Sequence, residues 1–140
     1  MKKNIIDKDF GYLVYVEDLD DNAYWAGSTQ LQNHESDIRF EAHENGPTIM
    51  QREFFKNIKQ EYLELISKIY KVLPKKLKEN KQLANISYFI QHFTPKALLI
   101  PRVDLGKRNW SITFQSTQNE KHFLDVEFKD LEPKKSILEK

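Results

Sequence analysis

Between Thr48 and Pro74 apolar side chains recur at a spacing that a helix turns to one side. Phe54, Ile58, Tyr62, Leu65, Ile66, Ile69 and Leu73 follow one another every three or four residues, which stacks them in a single stripe. Thr48 and Gln51 have the Thr-x-x-Gln spacing of a capping box, in which two side chains satisfy free amides at a helix start. Pro74 ends the run, because it has no amide proton and clashes with the turn before it. The pattern predicts one amphipathic helix over about residues 49–73, roughly 37 Å long at 1.5 Å per residue. A one-sided helix of that length needs an apolar surface of similar extent beneath it.

The flanking segments supply that surface. Phe10–Val16 and Ala23–Leu31 are dense in aromatic and β-branched residues, as strands are. Ser36–Ala42 alternates, with Ile38, Phe40 and Ala42 on one face and Asp37, Arg39 and Glu41 on the other. Strict alternation with one wet face marks an antiparallel sheet. Gly27 reads as a bulge or a close backbone contact. Past the helix, Leu83, Ile86, Phe89, Ile90 and Phe93 fit a second helix; a strand over 83–93 fits less well, because Phe89 and Phe93 would face water. Ala97–Val103 reads as a strand that Pro101 confines to an edge or an end. Trp110–Gln115 and His122–Lys129 alternate again. The expectation is a single α+β domain over 10–130, ordered βββ-α(α)-βββ, with a twisted antiparallel sheet and the long helix on one face. Residues 1–9 read as a lead and 131–140 as a loosely ordered tail.

The 140 residues suit one domain. There is no cysteine, which removes disulfides, thiolate zinc sites, iron–sulfur clusters and cysteine nucleophiles. Four glycines leave no phosphate-cradling loop and no dinucleotide fingerprint, so no cofactor is expected. HExxH and Gly-x-Ser-x-Gly are absent. Near the N-terminus Asp7, Lys8 and Asp9 interrupt what would otherwise imitate a signal peptide, and no run approaches the roughly 20 apolar residues of a membrane span. A cytoplasmic protein is expected.

Net charge is +1, but it is polarised along the chain. Residues 1–50 carry four basic and ten acidic side chains, and residues 51–100 carry ten and four. Glu17, Asp18, Asp20, Asp21, Asp37 and Glu41 form a candidate acidic patch for a basic protein partner, since such loops speed encounter. The acidic loop lacks EF-hand spacing. Lys68, Lys71, Lys75 and Lys78 have helical spacing and could meet phosphates, although lysines at a helix C-terminus also suit its negative end. Lysines outnumber arginines 18 to 4, which counts against specific base reading. Glu41, His43 and Glu44 are the tightest acid–histidine group and could serve as a base or a metal site; nothing nearby supplies further ligands, and no metal is expected. Trp25 and Trp110 read as core.

Trp25-Ala26-Gly27, Ile38-Arg39-Phe40, Pro47 to Gln51 with Phe54, Trp110-Ser111-Ile112-Thr113-Phe114 and Leu124-Asp125-Val126-Glu127-Phe128 together resemble the layout of several small uncharacterised bacterial α+β domain families. The resemblance spans about residues 10–130. Some members of such families are immunity proteins for bacterial toxins, so it implies a non-enzymatic protein that masks a toxin domain, and it carries over no site residues. The alternatives are a nucleic-acid adaptor using the lysine row and a small enzyme centred on His43.

Overall fold

The structure is a computed structural model that describes residues 4–18 and 22–139. Eight strands make one sheet in sequence order: β1 (Ile5–Asp7), β2 (Gly11–Glu17), β3 (Ala23–Leu31), β4 (His34–Glu41), β5 (Phe93–Ile100), β6 (Asn109–Ser116), β7 (Phe123–Lys129) and β8 (Glu132–Glu139). Two four-stranded meanders are joined by a helical crossover of α1 (Ile49–Gln60), α2 (Tyr62–Ile69), α3 (Lys75–Lys78) and α4 (Ile86–His92). The crossover makes β4 and β5 parallel, a pairing that needs a connection of a dozen residues or more. The other neighbours are antiparallel. The α+β class holds, but the layout is ββββ-α-ββββ with a mixed sheet.

The two additional strands come from the ends. Residues 132–139, expected as a loose tail, pair with β7 from Lys129↔Glu132 to Phe123↔Glu139. Pro133 hid this strand, yet proline is tolerated near the start of an edge strand, where one side of the ladder needs no donor. β1 lies in the expected lead and pairs with β2 over three residues.

The long helix is also two. The chain leaves helical geometry at Glu61, with φ −99° and ψ 12°. No proline or glycine stands there, so propensity does not set the break. Packing does: α1 lies against β5, whereas α2 lies against β8 and α4. A straight rod cannot follow a twisted sheet across that span. The apolar stripe continues through the break, with Phe55, Ile58, Tyr62, Leu65, Ile66 and Ile69 buried. The helix favoured over 83–93 is present as a 3₁₀ turn Lys81–Ala84 followed by α4, and it stops at His92 because β5 begins at Phe93.

Helices cover one face only. Against them the sheet sets Trp25, Ile38, Phe40, Leu98, Ile100, Trp110, Ile112, Phe114, Leu124, Val126 and Phe128, all buried. Trp110 stacks on Phe128 at 4.4 Å and takes Phe54 edge-on at 5.9 Å. Both tryptophans are core, and each anchors a loop: Trp25 Nε1 donates to His43 O at 2.7 Å, and Trp110 Nε1 to Asp130 O.

Gly27 is a close-approach glycine. The β2–β3 ladder ends at Val14↔Ala26, and Leu13 then crosses over Gly27 into the core with no exposure. A Cβ on Gly27 would stand 2.5 Å from Leu13 Cδ2 and 3.3 Å from Tyr12 O. Gly27→Ala is expected to destabilise the fold by about 1–2 kcal/mol, overpacking outweighing the smaller gain from a stiffer unfolded chain. Urea denaturation checks this, and a stabilised variant would refute the close approach. No helix among the described residues is long and apolar enough to cross a membrane.

Candidate functional site

Strand alternation that sends apolar residues toward the helices sends their neighbours to the other face. Among the described residues no helix lies over that face. β2 contributes Tyr12 and Val14, 60% and 37% exposed, and β3 contributes Tyr24, Ala26 and Ser28. Asp37 and Arg39 come from β4, Ala97 and Leu99 from β5, Ser111 and Thr113 from β6. Asp125 and Glu127 of β7 and Lys135 and Ile137 of β8 complete it, in register across the sheet.

Four open recesses adjoin along this face. One of about 550 Å³ lies among Tyr12, Val14, Ala26, Ser28, Asp37 and Arg39. The next, about 400 Å³, shares Asp37 and Arg39 and adds Asp18, Tyr24, Ala97, Leu99, Ser111 and Thr113. The third and fourth, about 390 and 240 Å³, continue through Ser111 and Glu127 to Lys135, with Ile137 lining the fourth. Shared walls make them one trough. Its floor is low because Ala26, Ala97, Ser111 and Thr113 are small.

The centre is polar and charged. Arg39 lies 5.9 Å from the Tyr24 ring centroid, a cation–π distance. Burial, followed by the negative charges of Asp18 and Glu41, holds the Tyr24 phenol above its ordinary value, so it stays a neutral donor. Thr113 Oγ1 donates to Asp125 Oδ1 at 2.5 Å. Among the described residues no histidine lines these four recesses.

The acidic residues singled out from sequence separate into different roles. Asp18 and Asp37 meet in the central recess. Asp18 also closes its loop, its Oδ1 accepting from the Asn22 amide at 3.0 Å. Glu17 ends β2 and accepts from the Tyr15 hydroxyl at 3.4 Å. Asp20 and Asp21 lie outside the described residues. Glu41 is engaged within the fold: it accepts from the Arg102 amide at 2.7 Å and pairs with Lys107.

The lysine row is spread over three successive elements. Lys68 and Lys71 both reach Glu132, at 2.7 and 3.6 Å, and that hydrogen-bonded contact holds the Glu132 carboxyl below its ordinary range. Lys75 and Lys78 stand on α3, beyond the turn at Leu73 and Pro74. At His43 the backbone carbonyl is the Trp25 acceptor, and the neighbouring Glu41 is already paired. Among the described residues no group of three or more acidic or histidine side chains is placed to hold a metal.

No family model, curated protein or solved structure matches the chain significantly. The open face must therefore be read from its own residues. Sequence reasoning missed Tyr12, Val14, Tyr24, Leu99, Ser111, Thr113 and Ile137 as members of one site. The alternation already placed several of them on wet faces; what it lacked was the strand order that sets those faces side by side.

Proposed function

We propose that this chain is a cytoplasmic, non-enzymatic protein-binding module that docks a folded partner across its helix-free sheet face. The observation that carries this reading is the uncovered trough itself. Six interstrand spacings of about 4.8 Å from β2 to β8 and strands of about 26 Å give a face of roughly 750 Å², close to the ~800 Å² each partner contributes to a standard interface. Its mixture of exposed tyrosine and aliphatic side chains with polar ones is in keeping with non-obligate interfaces, which as a whole are only about as apolar as the rest of a protein surface. The recesses are open and contiguous, as suits a macromolecular surface more than an enclosed small-molecule pocket.

The most concrete version is an immunity protein that masks a toxin domain. It rests on the sequence resemblance together with Asp18 and Asp37 at the centre of the face, where they would meet a basic active-site surface. The lysine row supports a nucleic-acid reading less well, because Lys68 and Lys71 share Glu132.

The partner is to be captured from the native host after nuclease treatment and a high-salt wash, and association then measured with variants. Asp37→Lys is expected to slow association at least tenfold at low salt, with the difference shrinking as salt rises. Lys71→Glu, on the helix side, should leave the rate unchanged. Equal rates for wild type and Asp37→Lys would remove the face from the interface.

A further inference from the structure

We propose that a second copy of this chain pairs with β8 in antiparallel fashion, about a two-fold axis at Ile137, so that two eight-stranded sheets become one. The inference concerns an edge of the sheet and does not depend on what docks on its open face. β8 ends the strand order and is bonded to β7 alone. The opposite edge, β1, offers only three residues. Sheet edges are normally blunted by proline, lysine or bulges. Here Pro133 and the register irregularity sit together at the start of β8, opposite Phe128. From Lys135 to Glu139 the ladder with β7 is regular, so the free edge of that segment is regular too.

The side chains on that segment complement themselves. Lys135, Ile137 and Glu139 alternate onto the open face, and Ile137 is 55% exposed. A two-fold axis at Ile137 sets it against Ile137 of the second copy. It also sets Lys135 against Glu139 of the second copy, twice over, as an isologous contact requires. Opposite charges directly across a strand pair are favourable and like charges are not. Moving the axis to Lys135 would set that lysine against itself, and moving it to Ser136 would set Lys135 against Ile137. Among the described residues no cation pairs with the acidic end, where Asp125 beside Glu139 pushes the Glu139 carboxyl above its ordinary value. Lys135 lies on the same face, where it pairs with Glu127 at 3.1 Å and would bridge Glu127 and the Glu139 of the second copy.

Sedimentation and light scattering across a micromolar to millimolar range test this, with circular dichroism to verify folding. The wild type is expected to reach a particle of twice the chain mass. Lys135→Glu and Glu139→Lys should each weaken the dimer at least tenfold, because each sets like charges across the axis. The combined K135E/E139K chain should recover it, since the pairing is restored with its signs exchanged. A wild type that stays monomeric throughout would overturn the proposal. So would a dimer indifferent to both single changes, or a folded double variant that remains monomeric.

Discussion

Replacing Arg52 with alanine is expected to lower stability by about 3 kcal/mol, the scale of breaking a largely buried ion pair from one side. Asp7 closes the turn between β1 and β2, its Oδ2 accepting from the amides of Asp9 at 2.9 Å and Phe10 at 3.1 Å. Its side chain is 6% exposed and that of Arg52 24%. Arg52 comes from α1 and grips both carboxylate oxygens, while Nη1 also reaches Asp9 at 2.9 Å. The guanidinium lies 5.8 Å from the Phe10 ring centroid, and Phe10 in turn packs on Phe40 and Phe55. One side chain therefore pins the first hairpin to the helix layer. Alanine would leave a nearly dry carboxylate with two amides and no counter-charge. Arg52→Lys should recover only part of the loss, because an ammonium cannot grip two oxygens in a fork. Asp9 is half exposed, and Asp9→Asn should cost well under 1 kcal/mol.

The pH dependence follows from the same contact. The Arg52 hydrogen bonds hold the Asp7 carboxyl below its ordinary 3.8, against the opposing pull of burial. A depressed carboxyl stabilises the fold above its unfolded value and loses that contribution as pH falls through the folded one. In Arg52→Ala Asp7 loses that pull and keeps only its two amide hydrogen bonds against burial. The gap between wild type and variant should therefore be full at pH 7 and narrow below about pH 4. Urea melts at pH 7 and pH 3 measure it; a gap of equal size at both would mean that the lost stability is not electrostatic.

What the sequence made legible was local. Ala23–Leu31 stands as a strand at the predicted bounds, and the Thr48–Gln51 capping box forms, because alternation and caps are written in neighbouring residues. The break at Glu61 is not, since it depends on where β5 and β8 lie beneath the helix. β8 escaped because half of its residues are charged and proline stands second, and only the neighbouring β7 makes them a strand. The site suffered most from this limit. Asp37 and Ser111 lie far apart in the chain, and nothing local says that a parallel β4–β5 pair brings them into one trough. Glu41 departs from the rest of the acidic patch for a similar reason: it looks like its neighbours in sequence but is held by Arg102 and Lys107 from beyond β5.

Gln51 shows how far a local motif can be from its full role, and altering it is expected to be as damaging as losing Arg52. The capping box accounts for Oε1, which accepts from the Thr48 amide at 2.9 Å. The side chain is wholly buried, and its Nε2 also donates to Glu41 O at 2.9 Å and to Pro101 O at 3.1 Å. Those carbonyls lie at the ends of β4 and β5, so one amide ties the helix start to both strands of the parallel pair. Gln51→Leu would strand one donor and two acceptors, at a cost of about 3 kcal/mol if each is worth about 1. Gln51→Glu keeps the shape but turns a carboxyl toward two carbonyls. Protonated, it can still donate to one of them; ionised, it repels both. Its folded pKa must then lie above the ordinary glutamate value of about 4.3. A raised carboxyl favours folding at low pH and loses that contribution as pH rises. Gln51→Glu should therefore approach Gln51→Leu or better in acid and fall below it at pH 7, a slope opposite to that of the Asp7–Arg52 pair. Chemical denaturation of the two variants at pH 4 and pH 7 reads this directly, and a pH-independent difference between them would show that the two carbonyls do not depend on the Gln51 amide.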